Sequence, residues 1–181
     1  MLNASTTRFF GYYPGTVALV TSALAERRNV MSAGWHTAVS MAPALYGVSI
    51  GRTRATHALV RESRAFGINF LPSTHAEAIQ GVGTQSLHQG VDKYARFGLH
   101  ASEQHPLALA EAYLCYLCGI EQIIPIGDHD LFVGRVEQVF YDASAYDEQW
   151  LLRGTAAVYL GRGEYVPLAC SSAGRSGRGG A

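Results

Sequence analysis

A cluster of basic and hydroxyl side chains follows an expected strand in the segment SIGRTRATH. Arg52 and Arg54 place positive charge just before an expected helix, and Thr56 places a hydroxyl in its first turn. Backbone N–H groups point outward at a helix start, and the helix dipole favours an anion there. The segment predicts a phosphate site, with a merely solvated turn as the alternative. The candidate residues are Ser49, Ile50, Arg52, Arg54, Thr56 and His57.

A histidine in a tight turn is the second candidate for chemistry. His129 lies between two long expected strands, with Asp128 and Asp130 on either side. A histidine between carboxylates can gain a charged partner and can orient a bound group. The alternative is a structural or simply exposed turn residue.

The C-x-x-C spacing of Cys115 and Cys118 is typical of redox pairs and of half zinc sites. Both cysteines lie in an expected long strand, where residues three apart point to opposite faces. We therefore expect two small buried side chains and not a thiol pair. The seven histidines are scattered, without metal-ligand spacing beside a carboxylate, so no metal site is expected.

Composition limits the classes of function. Lys plus Arg and Asp plus Glu number 14 each, which predicts no attraction to nucleic acid or to an anionic membrane. No apolar run reaches membrane length, and the start lacks a signal-peptide pattern, so the expected location is cytoplasmic. We expect one domain over residues 1–167 and a flexible Gly/Ser/Arg tail over 168–181.

The hydrophobic pattern predicts about seven strands and two or three short helices. Long antiparallel strands joined by tight turns favour a closed or nearly closed barrel over a doubly wound sheet. The expected strands are 16–22, 29–40, 45–51, 66–72, 112–126, 130–141 and two short ones around the GRG turn at 161–163. Three helices are expected. The first covers 54–64 and is capped by Thr53 or Thr56, and the second covers 74–81 and begins with a Thr74–Glu77 capping box. The third is a short helix within 143–153.

Six segments, in order, resemble the flavin reductase family with the FMN-binding split β-barrel fold. They are YPGTVALVTS, NVMSAGWHTAVS, PALYGVSIGRTRATHALVRES, FGINF, GVDK and GDHDLFVG. The resemblance covers about residues 10–165 and is strongest to the small reductase components of two-component flavin monooxygenases of the styrene type. The segment MAPA at 41–44 departs from the more usual D-P-P, which should only adjust a turn.

The resemblance implies a mostly β protein with short helices, an antiparallel split β-barrel that works as a homodimer. It implies an NAD(P)H:flavin oxidoreductase that uses FMN, with FAD as the alternative, and NAD(P)H as co-substrate. A flavin-dependent monooxygenase is the implied partner for the reduced flavin. The sequence has no G-x-G-x-x-G helix start, so the nicotinamide would stack on the flavin instead of binding a Rossmann domain.

The resemblance also assigns residues to the flavin. It places Asn69 beside the phosphate turn, Lys93 near the phosphate or near the flavin of a partner subunit, and His129 at the nicotinamide or the ring edge. The alternatives are core packing for Trp35, a satisfied strand position for Ser32 and a solvated loop position for Lys93. The residues placed along the ring and the ribityl chain are Met31, Ser32, Ala33, Trp35, His36 and Thr37.

Two other functions remain open from the sequence. One is a flavoredoxin-like carrier that holds FMN tightly and exchanges electrons with proteins without turning over free flavin. The other is a split-barrel protein that has lost the flavin or binds haem or pyridoxal phosphate.

Overall fold

The computed structural model describes residues 13–169. Ten strands and three helices lie within this range, together with 3-10 turns at Ser73–His75, Leu87–Gln89 and Ala143–Ala145. The strands are β1 (Gly15–Thr16), β2 (Ala18–Leu24), β3 (Arg27–Ala33), β4 (His36–Met41), β5 (Ala44–Gly51), β6 (Ala65–Phe70), β7 (Leu114–Ile126), β8 (His129–Tyr141), β9 (Thr155–Gly161) and β10 (Glu164–Ala169). The helices are α1 (Ala55–Ser63), α2 (Ala76–Thr84) and α3 (Lys93–Phe97).

The strands form two antiparallel sheets. The larger has the order β3-β2-β6-β7-β8-β5-β4, and the smaller has the order β1-β9-β10. The prediction of a mostly β protein with short helices is confirmed. In the described part of the chain, β3 and β4 are the end strands of the larger sheet, so this sheet is not closed. Of the two expected forms, a closed or a nearly closed barrel, the closed one is wrong.

The expected single strand over 29–40 is wrong, because the chain bends at Gly34 and Trp35. The part before the bend, β3, pairs with β2, whereas the part after it, β4, pairs with β5. Only two residues connect the opposite ends of a seven-stranded sheet, so the sheet must curl until its two edges approach each other here. The Ser49 backbone N–H donates to the Trp35 carbonyl at 2.9 Å, which fixes the bend against β5.

The core lies on both faces of β2, whose alternate residues enter two separate clusters. Ala18 and Val20 point into the curl of the large sheet, whereas Val17 and Leu19 face the outer layer of helices. Alternation of side chains along an extended chain explains why every position from 17, just before β2, to 20 is apolar. The inner cluster includes Val48, Ile50, Phe66, Ile68, Cys118 and Phe132. The outer cluster includes Val30, Leu71, Ile79, Val82, Tyr94 and Ala157.

The helix starts differ from those expected. Arg54 is the N-cap of α1, and His75 is the N-cap of α2, neither with a side-chain cap among the described residues. Thr53, Thr56 and the Thr74–Glu77 capping box were therefore wrong assignments. Thr56 lies inside α1, where its hydroxyl accepts a hydrogen bond from the Asn29 amide at 2.9 Å. In the segment 143–153, where a short helix was expected, the only helical residues are the 3-10 turn Ala143–Ala145.

Cys115 and Cys118 are buried on opposite faces of β7, as predicted. Cys118 belongs to the inner cluster, whereas Cys115 packs with Leu107 and Leu117. At the end of the described chain, β10 continues to Ala169, so the first two residues of the predicted tail pair with β9. The other tail residues lie outside the described range. Within residues 13–169, no helix has both the length and the apolar character needed to cross a membrane.

Candidate functional site

A cavity of about 480 Å³ lies where the bend after β3, the start of α1, the end of α2 and the β7–β8 turn come together. Its size is within the range of small-molecule sites. Nine of the residues predicted for a site line it. They are Met31, Ser32, Ala33, Trp35, Ser49, Arg54, Thr56, Lys93 and His129.

One part of the cavity wall combines a positive charge, a helix start and a hydroxyl group. The first turn of α1 has no acidic residue and no side-chain cap within the described chain, and Arg54, Ala55 and Thr56 line the wall there. Backbone N–H groups of a helix start therefore lie beside a guanidinium and a hydroxyl. The buried Asn29 holds the Thr56 hydroxyl from β3, which fixes the helix start against the strand.

Lys93 is buried in the same part of the cavity wall, near Arg54. Its Nζ donates to the carbonyl oxygens of Val30 and Val82, both at 2.9 Å. An ammonium has three N–H donors, so one remains for a ligand in the cavity that Lys93 lines. Burial, followed by the nearby Arg54 charge, lowers the pKa of Lys93 to about 8. The amine therefore stays protonated at neutral pH and can contribute positive charge to the site.

Another part of the cavity wall is aromatic. Trp35 is 50% exposed, and its ring centroid lies 5.0 Å from that of His129. His129 Nδ1 lies 2.7 Å from a carboxylate oxygen of Asp128, which fixes the imidazole plane and lowers the pKa of that carboxyl. Gly51 lies beneath the imidazole, where an added Cβ would be 3.3 Å from Nε2. This part of the wall offers the flat Trp35 ring beside the fixed imidazole of His129.

Arg52 and His57, predicted as phosphate ligands, do not line the cavity. Arg52 Nε donates to one oxygen of the buried Asp130 at 2.8 Å, and His57 Nε2 lies 2.8 Å from the other oxygen. Arg52 also donates to the His129 carbonyl at 3.3 Å. The hydrogen bonds from His57 and Arg52 lower the pKa of Asp130. This cluster joins the start of α1 to the start of β8, on either side of the cavity.

Asn69 is also absent from the cavity wall because its amide is fully used in the core. Its Nδ2 lies within hydrogen-bond distance of the Leu19 and Leu107 carbonyls and of the Thr21 hydroxyl. Its Oδ1 accepts from the Leu109 backbone N–H at 2.8 Å. Asn69 therefore anchors the loop before β7 to the sheet.

Three further predicted residues lie away from the cavity. His36 bridges the Tyr46 hydroxyl and the Thr16 carbonyl, and burial lowers its pKa. Ile50 points into the inner cluster, because it is offset by one residue from Ser49, whose side chain lines the cavity. Thr37 is exposed on β4, beyond the bend that the sequence pattern did not reveal.

Sequence reasoning missed part of the wall. Asn29 could have been found, because it lies two residues before Met31 and so faces the same side of β3. Gly34, Gly51 and Ala55 also line the cavity and lie directly beside predicted residues. The other missed positions come from elements distant in sequence, and no local pattern marks them. They are Tyr13, the β1 segment, Tyr159 and the end of α2 with its following residues Gln85 and Ser86.

A family model described as "Flavin reductase like domain" matches residues 10–168. The chain therefore belongs to the flavin reductase family, and the predicted resemblance is confirmed. It is 30% identical over 132 residues to the NADH-dependent FMN reductase AsuE2 of Streptomyces nodosus subsp. asukaensis, covering 73% of this chain and 71% of that protein.

Two other similarities bear on the site. The chain is 29% identical over 126 residues to the reductase component of a 4-nitrophenol 4-monooxygenase/4-nitrocatechol 2-monooxygenase of Rhodococcus opacus, covering 70% of this chain and 65% of that protein. The crystal structure of an FMN-binding protein from Thermus thermophilus superposes with a TM-score of 0.81 at 32% identity, covering 93% of this chain and 94% of that one.

Proposed function

We propose that this protein is an NAD(P)H:flavin oxidoreductase that binds FMN, or FAD, in the 480 Å³ cavity. The observation that carries the proposal is the polarity of the cavity. An exposed indole and a fixed imidazole form one part of its wall, and a helix start without a side-chain cap among the described residues, with Arg54 and Lys93, forms another. A flavin mononucleotide has the same two parts, a flat ring and an anionic tail.

The residues that line the cavity fit both the phosphate and the ring of a flavin. Arg54, Lys93 and the N–H groups at the start of α1 would hold the phosphate. Met31 and Ala33, on the cavity face of β3, would contact the ribityl chain and the ring. The Ser32 hydroxyl donates to the Ile79 carbonyl, so it would contribute to a ligand as an acceptor.

Bound flavin supplies the redox chemistry, which is acceptance of a hydride from C4 of NAD(P)H. The protein contributes orientation, because stacked rings held at contact distance need no covalent help from a side chain. Trp35 would form a wall for the rings. His129, held by Asp128 through Nδ1, would position the nicotinamide at the ring edge through Nε2.

The experiment measures oxidation of NADH and of NADPH by the purified chain, with and without added FMN or FAD. We expect flavin-dependent oxidation that is strongly reduced in Arg54→Ala and unchanged in Arg96→Ala, an exposed arginine of α3 that lines no part of the cavity. Absence of flavin-dependent oxidation with both nucleotides would overturn the proposal. A flavin that survives dialysis, without turnover of free flavin, would instead assign the carrier function.

The oligomeric state and the partner also belong to the proposal. The curled sheet, with edges that approach at Gly34 and Trp35, supports a split-barrel description. The exposed apolar side chains of the edge strand β4 support a homodimer in which a second copy covers them. Similarity to the Rhodococcus opacus reductase component supports a flavin-dependent monooxygenase as the acceptor of the reduced flavin.

A further inference from the structure

A second cavity, of about 360 Å³, adjoins the phosphate end of the first. Asn29 and Lys93 line both cavities, so the two share a wall at the point where the flavin phosphate would lie. A ligand that continues beyond this phosphate would enter the second cavity. The residues that line the second cavity but not the first include Glu26, Arg27, Arg28, Leu87, Asp92 and Tyr94.

Arg28 is the group in this second cavity best suited to hold a nucleotide. Its guanidinium carbon lies 4.2 Å from the centroid of the Tyr94 ring, and Tyr94 is itself buried in the outer cluster. The ring therefore holds an exposed guanidinium at the cavity wall. Guanidinium planes stack on nucleobases, and their N–H groups pair with phosphate oxygens.

The neighbouring charges are partly committed elsewhere. Arg27 forms an ion pair with Glu62 at 2.6 Å. The Asp92 carboxylate caps α3 by accepting from the Tyr94 and Ala95 backbone N–H groups. Glu26, on the same wall, offers a carboxylate of the kind that accepts hydrogen bonds from ribose hydroxyls. The wall thus combines a guanidinium for a base or a phosphate with an acceptor for a sugar.

We propose that the second cavity is an adenylate subsite and that it takes the AMP half of FAD while the flavin ring lies in the first cavity. The proposal rests on the proposed function. The pyrophosphate would cross the shared wall, where Lys93 has a remaining N–H donor and Arg28 approaches from the other side. FMN ends at its phosphate and would leave the subsite empty, so the chain should prefer FAD.

NAD(P)H also carries an adenylate, and the geometry favours the flavin as its source. The second cavity opens from the anionic end of the first, beside Asn29 and Lys93. The nicotinamide would stack beside Trp35 and His129, which line the first cavity but not the second. The adenylate subsite is therefore continuous with the flavin phosphate and not with the nicotinamide.

The test compares the dissociation constants of FMN and FAD, measured by flavin fluorescence, in the wild-type chain, Arg28→Ala and the control Arg96→Ala. We expect the wild type to bind FAD more tightly. The preference for FAD over FMN should fall about ten-fold in Arg28→Ala, the size of one lost base contact, and stay unchanged in Arg96→Ala. AMP should compete with FAD in the wild type and much less with FMN.

Three outcomes would overturn the adenylate subsite or its source. An FAD preference that is the same in all three chains, or AMP that does not compete with FAD, rules out the subsite while FMN binding still supports the proposed function. An increased KM for NADH in Arg28→Ala, with FMN as acceptor and an unchanged FAD preference, assigns the adenylate to the nicotinamide nucleotide. Failure of the wild type to bind either flavin removes the proposed function itself.

Discussion

At the scale of single residues, the buried Asp130 holds together two groups that the sequence had assigned to the ligand. It bonds Arg52 on one side and His57 on the other, and Arg52 reaches the carbonyl of His129. The start of α1, with its anion-binding groups, is thereby fixed relative to the His129 ring. We therefore expect Asp130 to act as a positioning residue for the proposed flavin cavity.

Replacing Asp130 with asparagine should loosen this link. Asparagine has one accepting oxygen and a donating NH2 group. Either the hydrogen bond from Arg52 is lost or His57 Nε2 must become the acceptor, and in both cases the negative charge that pairs with Arg52 is removed. We expect the KM for flavin to rise on the order of ten-fold, with a smaller change in kcat, since misplacement of a site weakens binding and orientation. Steady-state kinetics measure both constants, and Asp142→Asn is the matched control because Asp142 only caps the 143–145 turn. An unchanged KM would contradict the positioning role.

Lys93 gives the site a pH dependence above neutrality. Its pKa is lowered to about 8 by burial and by Arg54, so the cation is lost in the folded protein as the pH rises through this value. A phosphate monoester is already a dianion above about pH 7 and does not titrate further there. Flavin affinity should therefore fall by up to about ten-fold between about pH 7 and about pH 9.

The measurement is the FMN dissociation constant across this range at constant ionic strength, in the wild type and in Lys93→Met. Lys93→Met should bind FMN more weakly at neutral pH, and its FMN affinity should not decrease as the pH rises.

For the stability of the ligand-free protein the sign is opposite. Between about pH 8 and 10.5 the unfolded chain binds more protons than the folded one, so the contribution of Lys93 to the free energy of unfolding rises with pH. If the FMN dissociation constant changes with pH equally in the wild type and in Lys93→Met, Lys93 is excluded as the titrating group.

At the scale of elements, the loop before β7 is held to the sheet where β2 and β6 pair. Asn69 and Thr21 bond the loop at Leu107 and Leu109, and Gly67 lies opposite Thr21 in the strand register. A Cβ at Gly67 would collide with the Leu107 carbonyl oxygen and lie 2.5 Å from the Thr21 hydroxyl. The glycine is what lets the loop approach this closely.

Substitution of Gly67 with alanine should therefore destabilise the fold by about 1–3 kcal/mol, the usual cost of overpacking a core. Chemical denaturation measures the free energy of unfolding. Gly154→Ala is the matched control, because an added Cβ there meets only a Leu152 methyl at 3.9 Å. Equal stabilities for the two variants would mean that the loop can move away without cost.

At the scale of the whole molecule, the edge strand β4 remains poorly covered by a single copy of the chain. Met41 is 92% exposed and Val39 is 49% exposed, although both are large apolar residues. Exposed apolar edge strands favour association, which is why we propose a homodimer that buries this strand.

The dimer is tested by mass measurement in solution, for example by light scattering. The wild type should have twice the mass of the chain at micromolar concentration, and Met41→Glu should shift it toward a monomer, because the charge would be buried at the interface. Leu24→Glu, at an exposed position next to the β2–β3 turn, should remain dimeric. A monomeric wild type would remove the homodimer from the proposal.

The sequence alone determined the features that depend on local pattern. The hydrophobic pattern placed β2, β5 and β7. Strand alternation separated Cys115 from Cys118, because side-chain direction along a strand depends only on position. The Arg54–Thr56 helix start was also visible, since charge and hydroxyl groups at a helix N-terminus form a local anion-binding arrangement. The family segments were recognisable for the same reason, as runs of neighbouring residues.

Only the tertiary structure decided what depends on distant partners. Arg52 and His57 could not be separated from Arg54 by pattern, because their partner Asp130 lies more than 70 positions away. The bend at Gly34 and Trp35 was equally hidden, since a continuous strand and two strands at opposite edges share one local alternation. The role of Asn69 also depended on distant partners. Its buried amide forms hydrogen bonds with the backbone groups of Leu107 and Leu109 and is therefore not available to a ligand.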